Sequence, residues 1–158
     1  MQQTSSLYNT ILSGLHAKEV KLNIAGADYG MDVLTSLRTS LAPFGSGSPT
    51  IGLAPAAEIT ASLYLPSSAV PRMATLRPYV RLVNGTQQSE WLPQGLFYVD
   101  TRQQDASGLL TLHGYDGMLR AERPAPYSTL QWPALDTDVV GEICSILGFT
   151  VDAGTTAL

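Results

Sequence analysis

Between Ala57 and Leu65 the sequence alternates without a break: Ala57, Ile59, Ala61, Leu63 and Leu65 are apolar, Glu58, Thr60, Ser62 and Tyr64 stand between them, and Pro66 ends the run. A period of two puts one set of side chains into a core and the other into water, which is a strand with one wet face. Such a strand needs neighbours of the same kind, and the chain supplies them. Val20, Leu22 and Ile24 alternate with Glu19, Lys21 and Asn23 and run into the turn Gly26 to Gly30. Val33, Leu37 and Leu41, with Thr35 and Thr39 between them, read as a further strand, although their four-residue spacing also suits a helix.

Downstream, Leu76, Pro78, Val80 and Leu82 alternate with Arg77, Tyr79, Arg81 and Val83 before Asn84-Gly85. Pro78 cannot donate to a ladder, so this strand is expected at a sheet edge or starting beyond that residue. The polar loop after Asn84 makes a hairpin with Glu90-Trp91-Leu92. A second hairpin pairs Leu96 to Arg102 with Leu109 to Gly114 across the polar turn Gln103 to Gly108.

Helical signals are confined to the margins. Leu7, Ile11 and Leu15 recur every four residues behind Thr4, Ser5 and Ser6, predicting a short helix from about Ser6 to Leu15. Tyr115 to Glu122 reads as one or two helical turns stopped by Pro124-Ala125-Pro126. Asp136-Thr137-Asp138 ahead, and Gly148 behind, frame a helix carrying Val139, Val140, Ile143, Cys144 and Leu147. Thr39 to Ala57 is uncharged, but Pro43, Pro49, Pro55, Gly45, Gly47 and Gly52 would break a membrane-spanning helix repeatedly, so it is expected to be a long loop. The expected class is mainly β (α+β): a helical arm over 1–17, an antiparallel barrel-like domain with short flanking helices over 18–124, and a connector with the first helix of a truncated second domain over 125–158.

Composition narrows the function classes. Only 14% of the 158 residues are charged, against about 25% in ordinary domains. Nine Lys and Arg against thirteen Asp and Glu leave no basic excess for phosphates, so sequence-specific nucleic-acid binding is not expected. Cys144 is the single cysteine, which removes a disulfide framework and a cysteine zinc site. The first ten residues contain no Lys or Arg, unlike an export signal.

Catalytic patterns are weak. His16 follows a helix end and His113 closes a strand, and both read as structural; Asp116, three residues past His113, could orient its imidazole, but no strained nucleophile turn accompanies them. No paired histidine or cysteine spacing marks a metal site. A carboxylate pair for glycoside hydrolysis would come from Glu58, Glu90 and Asp100. Glu58 reads as wet-face, and Asp100, two residues from Arg102, as half of a cross-strand or same-face ion pair. Gly45-Ser46-Gly47-Ser48 lacks the lysine and helix of a phosphate loop. Arg72, Arg77 and Arg81 could form a basic stripe around Tyr79, which also suits a protein interface. Trp91, Trp132, Tyr79 and Tyr98 could offer stacking faces to a carbohydrate, Trp91 being otherwise a hairpin residue. No catalytic, cofactor-binding or metal residue is assigned, and no cofactor is expected.

The succession AAEITASLYLP, VPRMATLRPYVRLVNG, SEWLPQGLFYVDTR and LTLHGYDGMLRAE, over Ala56 to Glu122, resembles the N-terminal part of prophage tail proteins of the baseplate hub or tail-spike-base type. The earlier VKLNIAGADYG fits the same pattern, and LDTDVVGEICSILGF is similar to the helix that opens the next domain in hub proteins, so the resemblance spans about Lys18 to Phe149. It implies linked β-barrel-like domains that trimerise at the tip of the tail tube, each subunit giving two similar barrels so that three subunits match a sixfold ring. The implied partners are two further copies and the distal-tail or tail-tube proteins, with no membrane, in the virion tail and, during assembly, the bacterial cytoplasm. It carries over no catalytic residue. The competing expectations are a carbohydrate-binding module and the N-terminal part of a tail-associated peptidoglycan hydrolase.

Overall fold

The computed structural model describes residues 3–40, 56–121 and 128–151. The chain divides into two compact units, 1–119 and 120–158. The loop expected over Thr39 to Ala57, with its Gly45 to Ser48 segment, and the Pro124 to Pro126 stop lie largely or wholly outside the described residues.

The first unit begins with helix α1, Ser6–Leu12. Ser5 caps it, its Oγ accepting from the Tyr8 N–H at 3.0 Å while donating to Glu90 at 2.5 Å. The helix stops one turn before the expected Leu15. Ser13 donates its hydroxyl to the Thr10 carbonyl and the Gly14 N–H reaches Ile11 O, so the last turn tightens and Leu15 is left 94% exposed.

Nine strands follow: β1 Ala17–Ile24, β2 Ala27–Tyr29, β3 Leu34–Ser40, β4 Glu58–Tyr64, β5 Thr75–Asn84, β6 Gln87–Gln88, β7 Leu92–Pro93, β8 Phe97–Gln104 and β9 Leu109–Tyr115. Short 3₁₀ turns occupy Ser67–Ala69 and Gly117–Ala121. All strands pair antiparallel in one sheet of order β2-β1-β5-β8-β9-β4-β3, with β6 and β7 also on β5. The unit is mainly β, as the alternation requires. β4 lies inside the sheet between β3 and β9, with Ile59, Ala61 and Leu63 fully buried and Glu58 and Tyr64 exposed. One apolar cluster joins Leu22 and Ile24 of β1, Leu34 of β3, the β4 set, Leu76 of β5, Phe97 and Val99 of β8, and Leu110 and Leu112 of β9. Strands from both ends of the order share this core, so the sheet curls around it.

The curl stops short of closure. β2 pairs only with the upper half of β1, Leu22 to Ile24, and β3 pairs only with β4. β2 and β3 run in the same direction and are joined by Gly30 to Val33, where the Val33 and Leu34 N–H groups both donate to Gly30 O and Val33 O accepts from Tyr64 N. They are two halves of one closing strand. Among the described residues, no strand pairs with the Ala17 to Lys21 half of β1 on the side away from β5, or with the outer edge of β3. Residues alternate in the direction of their backbone groups, and Ala25 N donates to Thr75 O, so Lys18 and Val20 of β1 aim their amides at this seam. By the same alternation Leu37 and Thr39 aim theirs out from β3.

Pro78 corrects the sequence reading, because it sits inside β5, a strand with neighbours on both sides, rather than at a sheet edge or a strand start. Its carbonyl accepts from Gln94 N at 2.9 Å, so its missing N–H faces the gap between β7, opposite Tyr79 and Val80, and β8, opposite Thr75 and Leu76. Facing β1, Pro78 opposes Leu22 at a position where no hydrogen bond is made, so the ladder loses no rung. A bulge at Thr35 corrects the expected phase of β3: the buried residue is Leu34, not Val33, and Leu37 returns inward after the shift. Thr35 Oγ1 donates to Ser62 O at 2.8 Å.

In the second unit, helix α2 spans Asp136–Leu147. Asp136 and Asp138 in its first turn complement the dipole, and Gly148, at φ 68°, ends it with the Phe149 N–H on Cys144 O and its own N–H on Ser145 O. Glu142 holds the preceding segment, accepting from Ser128 Oγ at 2.7 Å and from Thr129 N at 2.5 Å. These bonds keep its carboxyl below the ordinary range, the Ser128 hydroxyl contributing most.

Gly114 faces Val99 across β8 and β9, and a Cβ there would lie 2.5 Å from the Tyr98 carbonyl oxygen. Gly114→Ala is therefore expected to cost about 1–3 kcal/mol of stability, read as a lower urea midpoint; an unchanged midpoint would contradict so tight an approach.

Candidate interaction face

Among the described residues both ion pairs, Glu19–Arg81 and Lys21–Asp28, lie on the wet faces of β1, β2 and β5. Register sets Glu19 opposite Arg81, Lys21 opposite Tyr79 and Asn23 opposite Arg77. Arg81 Nη2 lies 2.6 Å from Glu19 Oε2, and its Nε donates to the same oxygen at 2.7 Å. Lys21 Nζ lies 2.6 Å from Asp28 Oδ2 of β2, and Asn23 Nδ2 donates to Asp28 Oδ1 at 2.6 Å. Trp91, between Glu90 and β7, takes both cations: the Arg81 guanidinium is 4.4 Å and Lys21 Nζ 5.0 Å from its ring centre. Lys21 is also 5.1 Å from the Tyr79 ring.

The result is a plate running Asp28, Lys21, Tyr79 and Trp91, Arg81, Glu19, in which two cations and two carboxylates balance. Exposed ion pairs contribute about 0.2–1 kcal/mol and cation–π contacts about 0.5–1 kcal/mol each, so the plate stiffens the sheet by several small terms rather than one large one. Its groups are already satisfied by one another, which suits a fixed contact surface better than proton or group transfer. Arg77, exposed at the end of the row, has no ion pair among the described residues.

The basic stripe expected from Arg72, Arg77 and Arg81 is thus only half formed: Arg77 and Arg81 share the face with Tyr79, while Arg72 lies before β5. Trp91 and Tyr79, expected as carbohydrate-stacking rings, do come together, but each has a cation over it. Tyr98 stands elsewhere, opposite Tyr115, and Trp132 is exposed in the second unit. What the local reading missed is Lys21, Glu19 and Asp28. The only signal for them was the polar phase of β1, which becomes informative once the β1–β5 register is known.

The candidate catalytic groups do not converge. His113 shares a 3.2 Å hydrogen bond with Thr60 Oγ1 on the wet face, and His16 Nδ1 lies 2.8 Å from Gly14 O. Asp116 does not orient His113; its oxygens accept from Ala57 N at 3.0 Å and Met118 N at 2.9 Å, tying β4 to the 3₁₀ turn after β9. Glu90 is engaged by Ser5, whose hydroxyl and N–H hold its carboxyl below the ordinary range. Glu58 starts β4 and Asp100 lies on β8, with β9 between them. The ion pair expected at Asp100 does not form. A bulge between Val99 and Thr101 makes Asp100 the extra residue, and Arg102 instead donates to the Ser67 and Val70 carbonyls. Among the described residues, no three His, Cys, Asp or Glu side chains gather into a metal-binding group, and no helix is long and apolar enough to cross a membrane.

No family model and no curated protein matches this chain.

Asp28 provides a test of the plate. Its carboxyl is held below the ordinary value of 3.8, first by the Asn23 side-chain bond and then by Lys21. The folded state thus holds this proton less tightly than the unfolded chain. Its contribution is complete above pH 3.8 and is lost as pH falls through the lower folded value. In Asn23→Ala, NMR titration of the Asp28 carboxyl carbon is expected to show the midpoint rising toward 3.8; no rise would remove Asn23 from the plate.

Proposed function

We propose that this chain is a structural subunit of a prophage tail tip, a hub segment that works as a homotrimer joining the tail tube to the distal tail. The observation that carries the reading is the unclosed seam between β1 and β3. A curled sheet with backbone donors and acceptors left along two edges is suited to completion by neighbouring copies or neighbouring tail proteins. The order of segments from Lys18 to Phe149, which resembles the start of hub proteins, supports the same assignment. So does the self-satisfied plate around Trp91, which gives a stiff outer surface without a reacting group.

In this role the protein acts by shape. The core clamps six strands into a fixed curl, the seam offers hydrogen-bonding edges, and symmetry converts one subunit into a ring around a channel. The acidic balance of the chain, −4 overall, favours passage of DNA through that channel without retention. Light scattering of the protein is expected to give the mass of three copies. A mass of one copy, unchanged up to high concentration, would contradict the hub assignment.

A further inference from the structure

Helix α2 leaves its apolar side uncovered. Val139, Ile143 and Ile146 recur at steps of four and three residues, with Val140 and Leu147 beside them, so the five share one face. None of them is buried: Ile143 is 49% exposed, Val140 37% and Ile146 36%. Leu135 and Trp132, just ahead of the helix, are more exposed still. The segment that does approach α2 lies on the opposite side. Thr129 and Leu130 line a cleft with Thr137, Gly141 and Ser145, held by the bonds from Ser128 and Thr129 to Glu142, and of the five apolar residues only Ile146 reaches that cleft. A helix of 12 residues is marginal in water and depends on packing of its apolar face. In α2 the cap at Gly148 and the brace at Glu142 are in place, and that packing is what is missing.

The charge around this face is of one sign. By helical spacing Asp136 shares the sector of Val140, Ile143 and Leu147 and stands at its N-terminal end, while Asp138 and Glu142, one turn apart, flank it on the side of Val139 and Ile146. From residue 124 to residue 158 the sequence contains no Lys, Arg or His. A second α2 laid on the first would therefore set carboxylates against carboxylates with no cation of the segment between them. Apolar side chains rimmed by Lys or Arg match the same face in both respects.

We propose that α2 is the docking site for a basic amphipathic helix of another protein, whose apolar side covers Val139, Ile143 and Ile146 and whose Lys or Arg side chains meet Asp136, Asp138 and Glu142. Recognition is helix against helix, with anchors at i, i+4 and i+7. Docking supplies the burial that α2 otherwise lacks and so orders the helix as it binds. The inference does not rest on the hub assignment, which the mass of the protein decides, whereas the occupant of α2 is read from the resonances of the helix itself.

The test uses the whole chain, with the methyl resonances of Ile143 and Ile146 as reporters and an end-capped helical peptide of leucine and lysine as probe. The peptide is expected to shift both resonances saturably and to slow amide exchange along α2, while the methyl resonance of Ile59, buried in β4, stays in place. The same peptide with glutamate for every lysine is expected to bind about tenfold more weakly, the effect of two or three exposed charge pairs. A peptide of the original composition with its helical spacing scrambled should lose about fivefold, because it has no continuous apolar side. Asp136→Asn combined with Asp138→Asn, which leaves the apolar face intact, should cut the preference for lysine over glutamate to about threefold. Absence of a saturable shift, equal binding of the glutamate or the scrambled peptide, or an undiminished preference in the double variant would each overturn the proposal. It would equally be overturned by Ile143 and Ile146 resonances that move with protein concentration alone, which would give the face to a second copy, or with phosphatidylcholine vesicles and not with the peptide, which would give it to a membrane.

Discussion

The burial of one face of β4, and of the faces that pack with it, is the constraint from which the rest of the first unit follows. Ile59, Ala61 and Leu63 are not covered by a flat sheet: among the described residues the cluster around them is built from the inner faces of the other strands, with Val70 and Ala74 from the segment before β5. The sheet has to curl until Leu22 and Ile24, near one end of its order, share a cluster with Leu34 at the other. A curled antiparallel sheet normally removes its own edges by closing. Here the strand that would close it is cut into β2 and β3 by Gly30 to Val33, so the apolar requirement is met while, among the described residues, no strand pairs along the Ala17–Lys21 half of the seam. The two requirements are thus met separately, the apolar one by the curl and the hydrogen-bonding one only in part by β2 among the described residues.

The other departures from regular pairing have local causes and distinct consequences. Pro78 is accommodated because its missing donor faces the break between β7 and β8. Gly114 lets β9 approach the Tyr98 carbonyl beside the bulge, and the bulge inserts Asp100 between Val99 and Thr101. Arg102 fastens β8 to the Ser67–Ala69 turn.

Much of this was legible in the sequence where the governing interaction is local. The alternation of β1 and β4, the β8–β9 hairpin and the Gly148 stop of α2 all follow from side-chain period or from backbone freedom at one position. The misses are of another kind. Pro78 as an edge signal assumes that both sides of a strand are bonded at every residue, whereas in an antiparallel ladder each residue bonds one side only. The Asp100–Arg102 pair assumed an unbroken period of two, which the bulge resets. The plate of Lys21, Trp91 and Arg81 depends on residues up to seventy positions apart meeting through register, and no local pattern encodes that. The helix α1 was placed correctly at Ser6 and overextended at its end, because Leu15 matched the period while Ser13-Gly14 closed the last turn.

The most direct measurement of a subunit completed by its neighbours is amide hydrogen exchange at the seam. In the isolated chain the N–H groups of Lys18, Val20, Leu37 and Thr39 are expected to exchange much faster than those of β4, which is bonded on both sides. In the assembled protein the same four amides are expected to become protected while β4 changes little. Equal exchange at the seam in the isolated and assembled states would contradict edges that are paired by neighbouring subunits.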